Sequence, residues 1–529
     1  MYNELEGIAH YLQQLPGSSI FIRYVKSSYQ NDPWRSLLEL LLFLFALRVW
    51  LSKRTRRDAE KGFVGLSSTE IDELVDDWQP EPLVPQAEIK QAPTIIGPPS
   101  IKPKVSQPGQ PSDKARQVTN LVSYNFLGLL GDQRIKDAAT KALRVYGVGS
   151  CGPPGFYGTM DVHIDLEKSI AQTLGTESAI IYSQGFATIT SVIPTFAKRG
   201  DIIVADEGCS FAIRKGLQIS RSTVRWYKHN DMNSLETVLD SINREAKRRK
   251  APLTRKFICS EGIFQNDGSL ANLKRIIELK KKYKYRLILE ESYSFGVVGN
   301  TGRGMTELYD IPAKEVDILV GSMANTLGSA GGFCAGESVV VEHQRINSAA
   351  FIFSASLPPM LAVSANETLS ILNSSSGPNI VHSLQTNIAS FRSVLSTIDS
   401  IELASHALSP IQHVFFSQSK ELQIISTSQK EKSSEEERVE AVLGDICDDA
   451  LVNGVFITVA GHLRGQESDI GALSAGSTGI RVAPGGAPPP TEPRASIKIA
   501  ISSALSKKET EKAALVVKNS INRVLKRRA

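Results

Sequence analysis

Side chains able to do chemistry gather in six short stretches. They are Ser123–Leu129 (SYNFLGL), Gly147–Glu167 (GVGSCGPPGFYGTMDVHIDLE), Glu261–Leu270 (EGIFQNDGSL), Leu289–Gly304 (LEESYSFGVVGNTGRG), Gly321–Gly332 (GSMANTLGSAGG) and Phe353–Pro359 (FSASLPP). Glycines in them let backbones approach closely. What such groups can do is bounded by what is absent. Asn325 stands in the fifth stretch, and a carboxamide nitrogen is not nucleophilic, so it forms no stable imine. The five cysteines, Cys151, Cys209, Cys259, Cys334 and Cys447, contain no CxxC pair. They suggest neither a zinc site nor a disulfide framework, and they fit a reducing compartment. Gly296–Gly304 resembles a phosphate loop only superficially, because the strand–Gly–helix and Lys-Ser context is missing. His163 opens a helix and reads as structural. Cys151 reads as a small residue packed at a tight contact.

Taken together and in order, the six stretches resemble the α-oxoamine synthases, PLP-dependent enzymes of fold type I. Members condense an amino acid with an acyl-CoA and release carbon dioxide. The resemblance covers about residues 118–375, and the remainder more loosely. It departs from the family at the positions that handle the cofactor. Catalytic members carry a serine and then the Schiff-base lysine where this chain has Ala324 and Asn325. They carry Asp-Glu-Ala-His where it has Glu290-Glu291-Ser292-Tyr293, and their aspartate pairs with the pyridinium nitrogen. They carry a ring-stacking histidine where it has Asp206-Glu207-Gly208-Cys209-Ser210. Their carboxylate-binding arginine falls near Ser496–Lys498, where only Arg494 and Lys498 are available. Asn325, Glu290 and Tyr293 are thus degenerate positions, and the resemblance implies no catalytic residue and no covalent cofactor in this chain.

A lysine-less member with an N-terminal apolar segment is similar to the non-catalytic long-chain-base subunits 1 of serine palmitoyltransferase. That similarity implies an essential subunit of an acyltransferase joining L-serine to palmitoyl-CoA. Pyridoxal 5'-phosphate would sit on a catalytic long-chain-base subunit 2, the heterodimer partner. A small activating subunit and regulatory ORM-type membrane proteins would join the complex. Across the dimer interface, Cys151, Tyr157, Ser354 and Ser356 would complete the partner's active site; Ser354 and Ser356 read equally well as caps of the helix that follows. Two other readings are a self-sufficient synthase using another lysine, which Asn325 opposes, and a non-enzymatic membrane scaffold or lipid sensor on a degenerate PLP fold.

These residues need a frame to position them. The 529 residues suffice for two or three domains, and 41% hydrophobic with 22% charged residues argues against wholesale disorder. A net charge of +5 gives no case for nucleic acid as the main partner. The basic clusters Arg244–Lys250 and Arg523–Arg528 read as a solvated helix end and a tail. Strands are predicted at 178–183, 202–205, 223–227, 257–260, 286–290 and 317–321, alternating with helical patterns such as 273–283. Such alternation predicts an α/β fold with a mainly parallel sheet over 118–374. A smaller C-terminal α+β domain follows over 375–529, with mobile insertions at 429–438 and 461–490.

Ahead of the body, Leu37–Leu51 reads LLELLLFLFALRVWL, bracketed by Trp34 and Trp50. We expect a transmembrane anchor over 36–52, although the run is shorter than the ~20 apolar residues that span a bilayer. Lys53, Arg54, Arg56 and Arg57 would keep the following chain cytosolic, leaving residues 1–35 lumenal or interfacial. The expected location is the endoplasmic reticulum membrane, single-pass. Ser67 and Glu70 form a capping box ahead of an apolar stripe of Ile71, Leu74, Val75 and Trp78. Nine prolines between Pro80 and Pro111 mark 53–117 as a short helix and an extended linker.

Overall fold

The computed structural model describes residues 18–60, 67–78, 91–249, 252–427, 435–461 and 493–528. The chain divides into two units, Met1–Lys90 and Gln91–Ala529.

In the first unit, α1 (Ser18–Asn31) precedes α2 (Pro33–Glu60), which contains the whole expected anchor. Its apolar side chains are exposed, with Trp34 at 79% and Phe45 at 65%. Glu39 and Arg48 interrupt the run, and Arg35, just before it, pairs with Glu39 at 3.1 Å. No described helix is long and apolar enough to cross a membrane. The expected spanning segment is an exposed apolar helix interrupted by two charges, Glu39 and Arg48. In α3 (Ser68–Asp77) the capping box forms as read: Glu70 accepts from the Ser67 N–H at 2.8 Å, and Ser67 Oγ accepts from the Glu70 N–H at 3.3 Å. The stripe of Ile71, Leu74, Val75 and Trp78 is exposed throughout.

The second unit opens where an irregular linker was expected. Thr94–Ile96, Lys104–Ser106 and Arg116–Gln117 instead pair as an antiparallel ribbon. Pro98, Pro99, Pro103, Pro108 and Pro111 all lie between these strands, where no ladder N–H is needed. Thr119–Asn120 then pairs in parallel with Val455–Phe456.

A seven-stranded sheet forms the centre: β1 (Ser178–Tyr182), β2 (Ile202–Asp206), β3 (Thr223–Tyr227), β4 (Lys256–Glu261), β5 (Arg286–Glu290), β6 (Ile318–Ser322) and β7 (Gly332–Gly336). Its order is β1-β7-β6-β5-β4-β2-β3. Six strands are parallel, and β7 runs antiparallel between β1 and β6. The interiors of the central strands are largely apolar and buried, as expected of a sheet covered on both faces, while the edge strand β3 leaves Arg225 and Trp226 partly exposed. The sequence reading did not anticipate β7, because GFCAG lacks alternation and is bounded by glycines that look like turns. Gly321 must be small there, since a Cβ would stand 2.6 Å from the Phe333 ring on β7.

Beyond residue 375, β8 (Ile401–Leu403), β9 (Ile411–Phe416), β10 (Thr458–Ala460) and β11 (Ser496–Ala500) make an antiparallel sheet in the order β8-β9-β11-β10. It belongs to the same compact unit as the seven-stranded sheet. Two contacts fasten it to the loop after β4: Ser405 Oγ donates to Asp267 O at 2.6 Å, and His413 Nε2 donates to Gln265 O at 3.0 Å. Of the two expected insertions, 429–434 and 462–490 lie outside the described residues, while 435–438 begin the helix Glu435–Val452. Both basic clusters sit at helix ends, where Arg244 is paired with Asp240, and Arg523 is paired with Asp449 at 2.7 Å.

Candidate functional site

Parallel strands bring their C-terminal ends to one edge, which is where α/β sheets bind ligands. Here that edge carries acids. Asp206, Glu261 and Glu290 are the last residues of the neighbouring strands β2, β4 and β5. Register sets Glu261 beside Glu290. All three are buried, as is Glu291.

Each carboxyl is held by donors of its own loop, and Asp206 and Glu261 also by donors of a neighbouring one. Asp206 accepts from the N–H groups of Gly208 at 2.6 Å and Asn230 at 2.8 Å. Glu261 accepts from the N–H of Ser210 and, at 2.8 Å, from that of Gln265. Glu290 turns back onto Ser292, accepting from its N–H at 3.1 Å and from its hydroxyl. Burial pushes the Glu290 carboxyl well above the usual range, and the charge of neighbouring Glu261 adds to the shift. Burial likewise raises Glu261, with Asp206 contributing. Two acids packed together in low dielectric cannot both ionise at neutral pH.

A histidine reaches this edge after all, from an unexpected direction. His229 follows β3, and its ring lies against Gly208, where a Cβ would stand 2.2 Å from Nδ1. Nδ1 meets Asp206 at 2.7 Å, and Nε2 meets both Asp267 and Ser269 at 2.9 Å. Burial opposes a charge on the ring, but hydrogen bonds to Asp206 and Asp267 outweigh it and hold the pKa at about 10. The imidazolium is therefore a fixed countercharge for two aspartates and cannot act as a base near pH 7. The only local signal was His-Asn-Asp directly after a strand.

The glycine-rich stretch Gly296–Gly304 wraps around this chain's own carboxylates. Glu291 accepts from the Met305 N–H at 2.9 Å and from Ser294 Oγ at 2.7 Å. Glu307 accepts from the N–H groups of Thr301 and Arg303 at 3.0 and 2.9 Å. Those loop donors serve internal acids, as the missing phosphate-loop context suggested.

The three degenerate positions come together beside these acids. Asn325 is nearly buried and donates from Nδ2 to Ser292 O at 2.8 Å, which ties the loop after β6 to the loop after β5. Tyr293 is buried edge-on against Tyr124, with ring centroids 5.5 Å apart. The Lys498 ammonium lies 5.3 Å from the Tyr124 ring centroid. These residues do not fit a covalently held PLP. Asn325 offers an amide rather than an amine, and that amide is already bonded to backbone. Glu290 is folded onto Ser292 and favours its neutral form.

The remaining candidates assemble elsewhere, at the surface. Gly152 O accepts from both the N–H and the hydroxyl of Ser356, at 2.9 and 3.1 Å, which joins the 150–158 loop to the 353–357 segment. The Tyr157 ring lies on Gly152, where a Cβ would meet it at 2.1 Å, yet the side chain is 70% exposed. Phe156 and Val148 nearby in the chain, and Phe353 of the segment that the brace joins to this loop, are also exposed. Cys151 is exposed and has φ +54°, a left-handed conformation uncommon for a residue bearing a Cβ. Ser354 is half-buried. Neither serine caps the following helix, Pro359–Leu372: Pro358 is its N-cap and no side chain bonds there. His163 is structural, accepting at Nδ1 from the Met160 N–H at 2.9 Å and donating from Nε2 to Leu357 O at 2.6 Å.

Comparison with known proteins agrees with this frame. Residues 116–427 match the family model described as aminotransferase class I and II. The chain is 46% identical over 370 residues to long chain base biosynthesis protein 1c of Oryza sativa subsp. japonica, covering 70% of this chain and 74% of that protein. It is 40% identical over 417 residues to serine palmitoyltransferase 1 of Saccharomyces cerevisiae, covering 76% and 74%. With serine palmitoyltransferase 1 of Dictyostelium discoideum it shares 36% identity over 470 residues, covering 87% and 88%. Among solved structures, the Sphingomonas wittichii serine palmitoyltransferase superposes with a TM-score of 0.65 at 21% identity, covering 82% of this chain and 92% of that one. A structure described as SPT with PLP internal aldimine gives 0.65 at 20% identity, covering 82% and 93%. At such identities the structural likeness speaks for the fold. The family model and these relatives establish the lineage: this chain belongs to the class I and II aminotransferase family, among the serine palmitoyltransferase and long chain base biosynthesis proteins.

Proposed function

We propose that this chain is the non-catalytic subunit of a serine palmitoyltransferase, an acyltransferase of sphingolipid synthesis. The complex joins L-serine to palmitoyl-CoA, giving 3-oxosphinganine, coenzyme A and carbon dioxide. A catalytic partner of the long-chain-base subunit 2 type carries PLP on its lysine. This chain stabilises that partner and completes its site. The observation that carries the proposal is Asn325: its amide stands in the lysine's place and is bonded to Ser292 O at 2.8 Å. The exposed loop around Cys151 and Tyr157 supports a heterodimer, because exposed apolar groups on a braced loop favour burial against a partner. Small activating and ORM-type proteins are further expected partners.

The exposed apolar run of α2 supports membrane attachment, for which the endoplasmic reticulum, with a cytosolic body, is the expected site. Protease protection of tags at either end, in sealed microsomes, tests that topology. The functional test is to purify the chain alone and with the partner. The pair should show the PLP absorbance and serine-dependent condensation; the chain alone should show neither, and borohydride should fix no pyridoxyl group on it. A stoichiometric adduct on one lysine of this chain would refute the reading. A partner that is fully active without this chain would leave this chain a scaffold.

A further inference from the structure

The opposite edge of the seven-stranded sheet carries a second concavity with the reverse electrostatic character. It has a volume of about 530 Å³. Arg255 and Lys256 enter it from the start of β4, and Arg286 from the start of β5. Lys284 adds a fourth cation from the C-cap of the helix Leu273–Tyr283, with φ +58°. Lys256 and Arg286 sit about 13–17 Å along the strands from Glu261 and Glu290, at ~3.3 Å per residue, and Arg255 and Lys284 lie farther still. They therefore belong to a different site.

No carboxylate lines the cavity among the described residues. The bonds its cations make are to neutral groups: Arg255 Nη1 donates to Phe196 O at 2.8 Å, and Lys256 Nζ donates to Asn243 Oδ1 at 3.1 Å. Asp201, an acid of the same edge, is taken up by the backbone N–H groups of Lys198 and Arg255, at 2.9 and 3.0 Å. Four like charges around one concavity repel one another and concentrate anions there. Arginine pairs with lysine suit phosphate in particular, the guanidinium offering a planar fork and the ammonium a point charge.

The remaining wall is apolar. Phe196 and Val339 line it, and Val339 is 69% exposed. Leu253, two residues before Arg255, is fully exposed. The volume lies within the usual range for organic ligands and far exceeds a bare phosphate. We propose that this cavity binds a phosphate-bearing organic anion, whose phosphate meets the four cations and whose apolar part lies against Phe196 and Val339. A phospholipid headgroup and a soluble phosphate ester share this chemistry.

The test uses the full chain in complex with its partner. Dihexanoyl phosphatidic acid, kept below its aggregation concentration, and inorganic phosphate are titrated by calorimetry at two salt concentrations. The variant is Lys284→Asn with Arg286→Gln; asparagine tolerates the left-handed position of Lys284. Lys136→Gln, an exposed cation far along the chain, serves as control. The expected result is saturable, salt-sensitive binding, weakened about tenfold or more by the double variant and unchanged by the control. An equal melting temperature for the double variant and the parent shows that the loss is local. Tighter binding of the short-chain lipid than of inorganic phosphate supports an organic phosphate with its apolar part on Phe196 and Val339, and equal binding of both probes would overturn the apolar half of the proposal. Absence of binding by both probes, or binding that the double variant leaves intact, overturns the proposal.

Discussion

The cleft at the strand ends and the loop around Cys151 started from the same family template and diverged in opposite directions. In the cleft, polar groups have closed upon themselves. Glu290 is bonded to Ser292, Asn325 to the same residue's carbonyl, and His229 to two aspartates. Nothing there is poised to receive a ligand covalently. At the loop, Tyr157, Phe156 and Phe353 stay exposed although the backbone beneath them is braced by Ser356 and Gly152. The cleft thus satisfies its polar groups internally, while the loop keeps apolar groups on the surface. That contrast is what the proposed role as a partner-serving subunit requires.

The sharpest way to break this contrast is to disturb the brace. A Cβ at Gly158 would stand 2.1 Å from Ser356 Oγ and 2.2 Å from Gly152 O, so the backbone must move. Gly158→Ala should cut condensation by the complex by about a hundredfold, because a displacement near 1 Å at a reacting site costs on that order. Steady-state turnover of the co-purified pair measures it. Unimpaired turnover would separate the loop from the active site.

Cys151→Trp should have the next largest effect. In the single chain Cys151 is exposed, so the added ring has room and the melting temperature should barely change. Against a partner it overpacks, at a cost of ~1–3 kcal/mol, and turnover with serine should fall roughly tenfold or amino-acid choice should loosen. Cys151→Ser should be mild. Comparing serine with alanine as substrate reads both outcomes, and equal losses in the two variants would point to the thiol itself.

Glu290→Gln probes the cleft through stability. The folded-state pKa of Glu290 is raised from the ordinary 4.5, mainly by burial. The folded chain therefore holds a proton there that the unfolded chain has released. Its favourable contribution is complete below about pH 4.5 and is lost as pH rises through the folded value near 8. A neutral amide removes that loss. The variant should melt higher at pH 8, by about 2–4 °C per kcal/mol relieved, and nearly the same at pH 5. Scanning calorimetry at the two pH values decides; a pH-independent shift would mean that the carboxyl is ionised in the fold.

The smallest expected effect is none. Asn325→Lys restores an amine, but Glu290 still faces Ser292 and Tyr293 still fills the histidine's place. The variant without partner should condense no serine. Serine-dependent product from it would show that the lysine alone was missing.

Much of this was legible in the chain itself. The six predicted strands appear within one or two residues of their expected positions, and helix 273–283 matches throughout, because buried parallel strands and one-faced helices leave strong local patterns. The Ser67 capping box was equally local. The expectation that this chain holds no imine lysine rests on one residue type, at Asn325. Long-range pairing was not legible. β7 is a strand only because β1 and β6 flank it, and the proline-spaced ribbon at 94–117 exists only through its cross-strand bonds. The anchor over 36–52 was read from its apolar run; the structure shows an exposed helix there that two charges, Glu39 and Arg48, interrupt. Tertiary structure alone decided that His229 would enter the cleft, that Ser356 would brace Gly152 rather than cap a helix, and that four cations from two strands and one helix end would face a single cavity. Sequence encodes periodicity and residue chemistry over a few turns. Which distant side chains share a space depends on the register and order of strands, and those are set by the packing of the whole sheet.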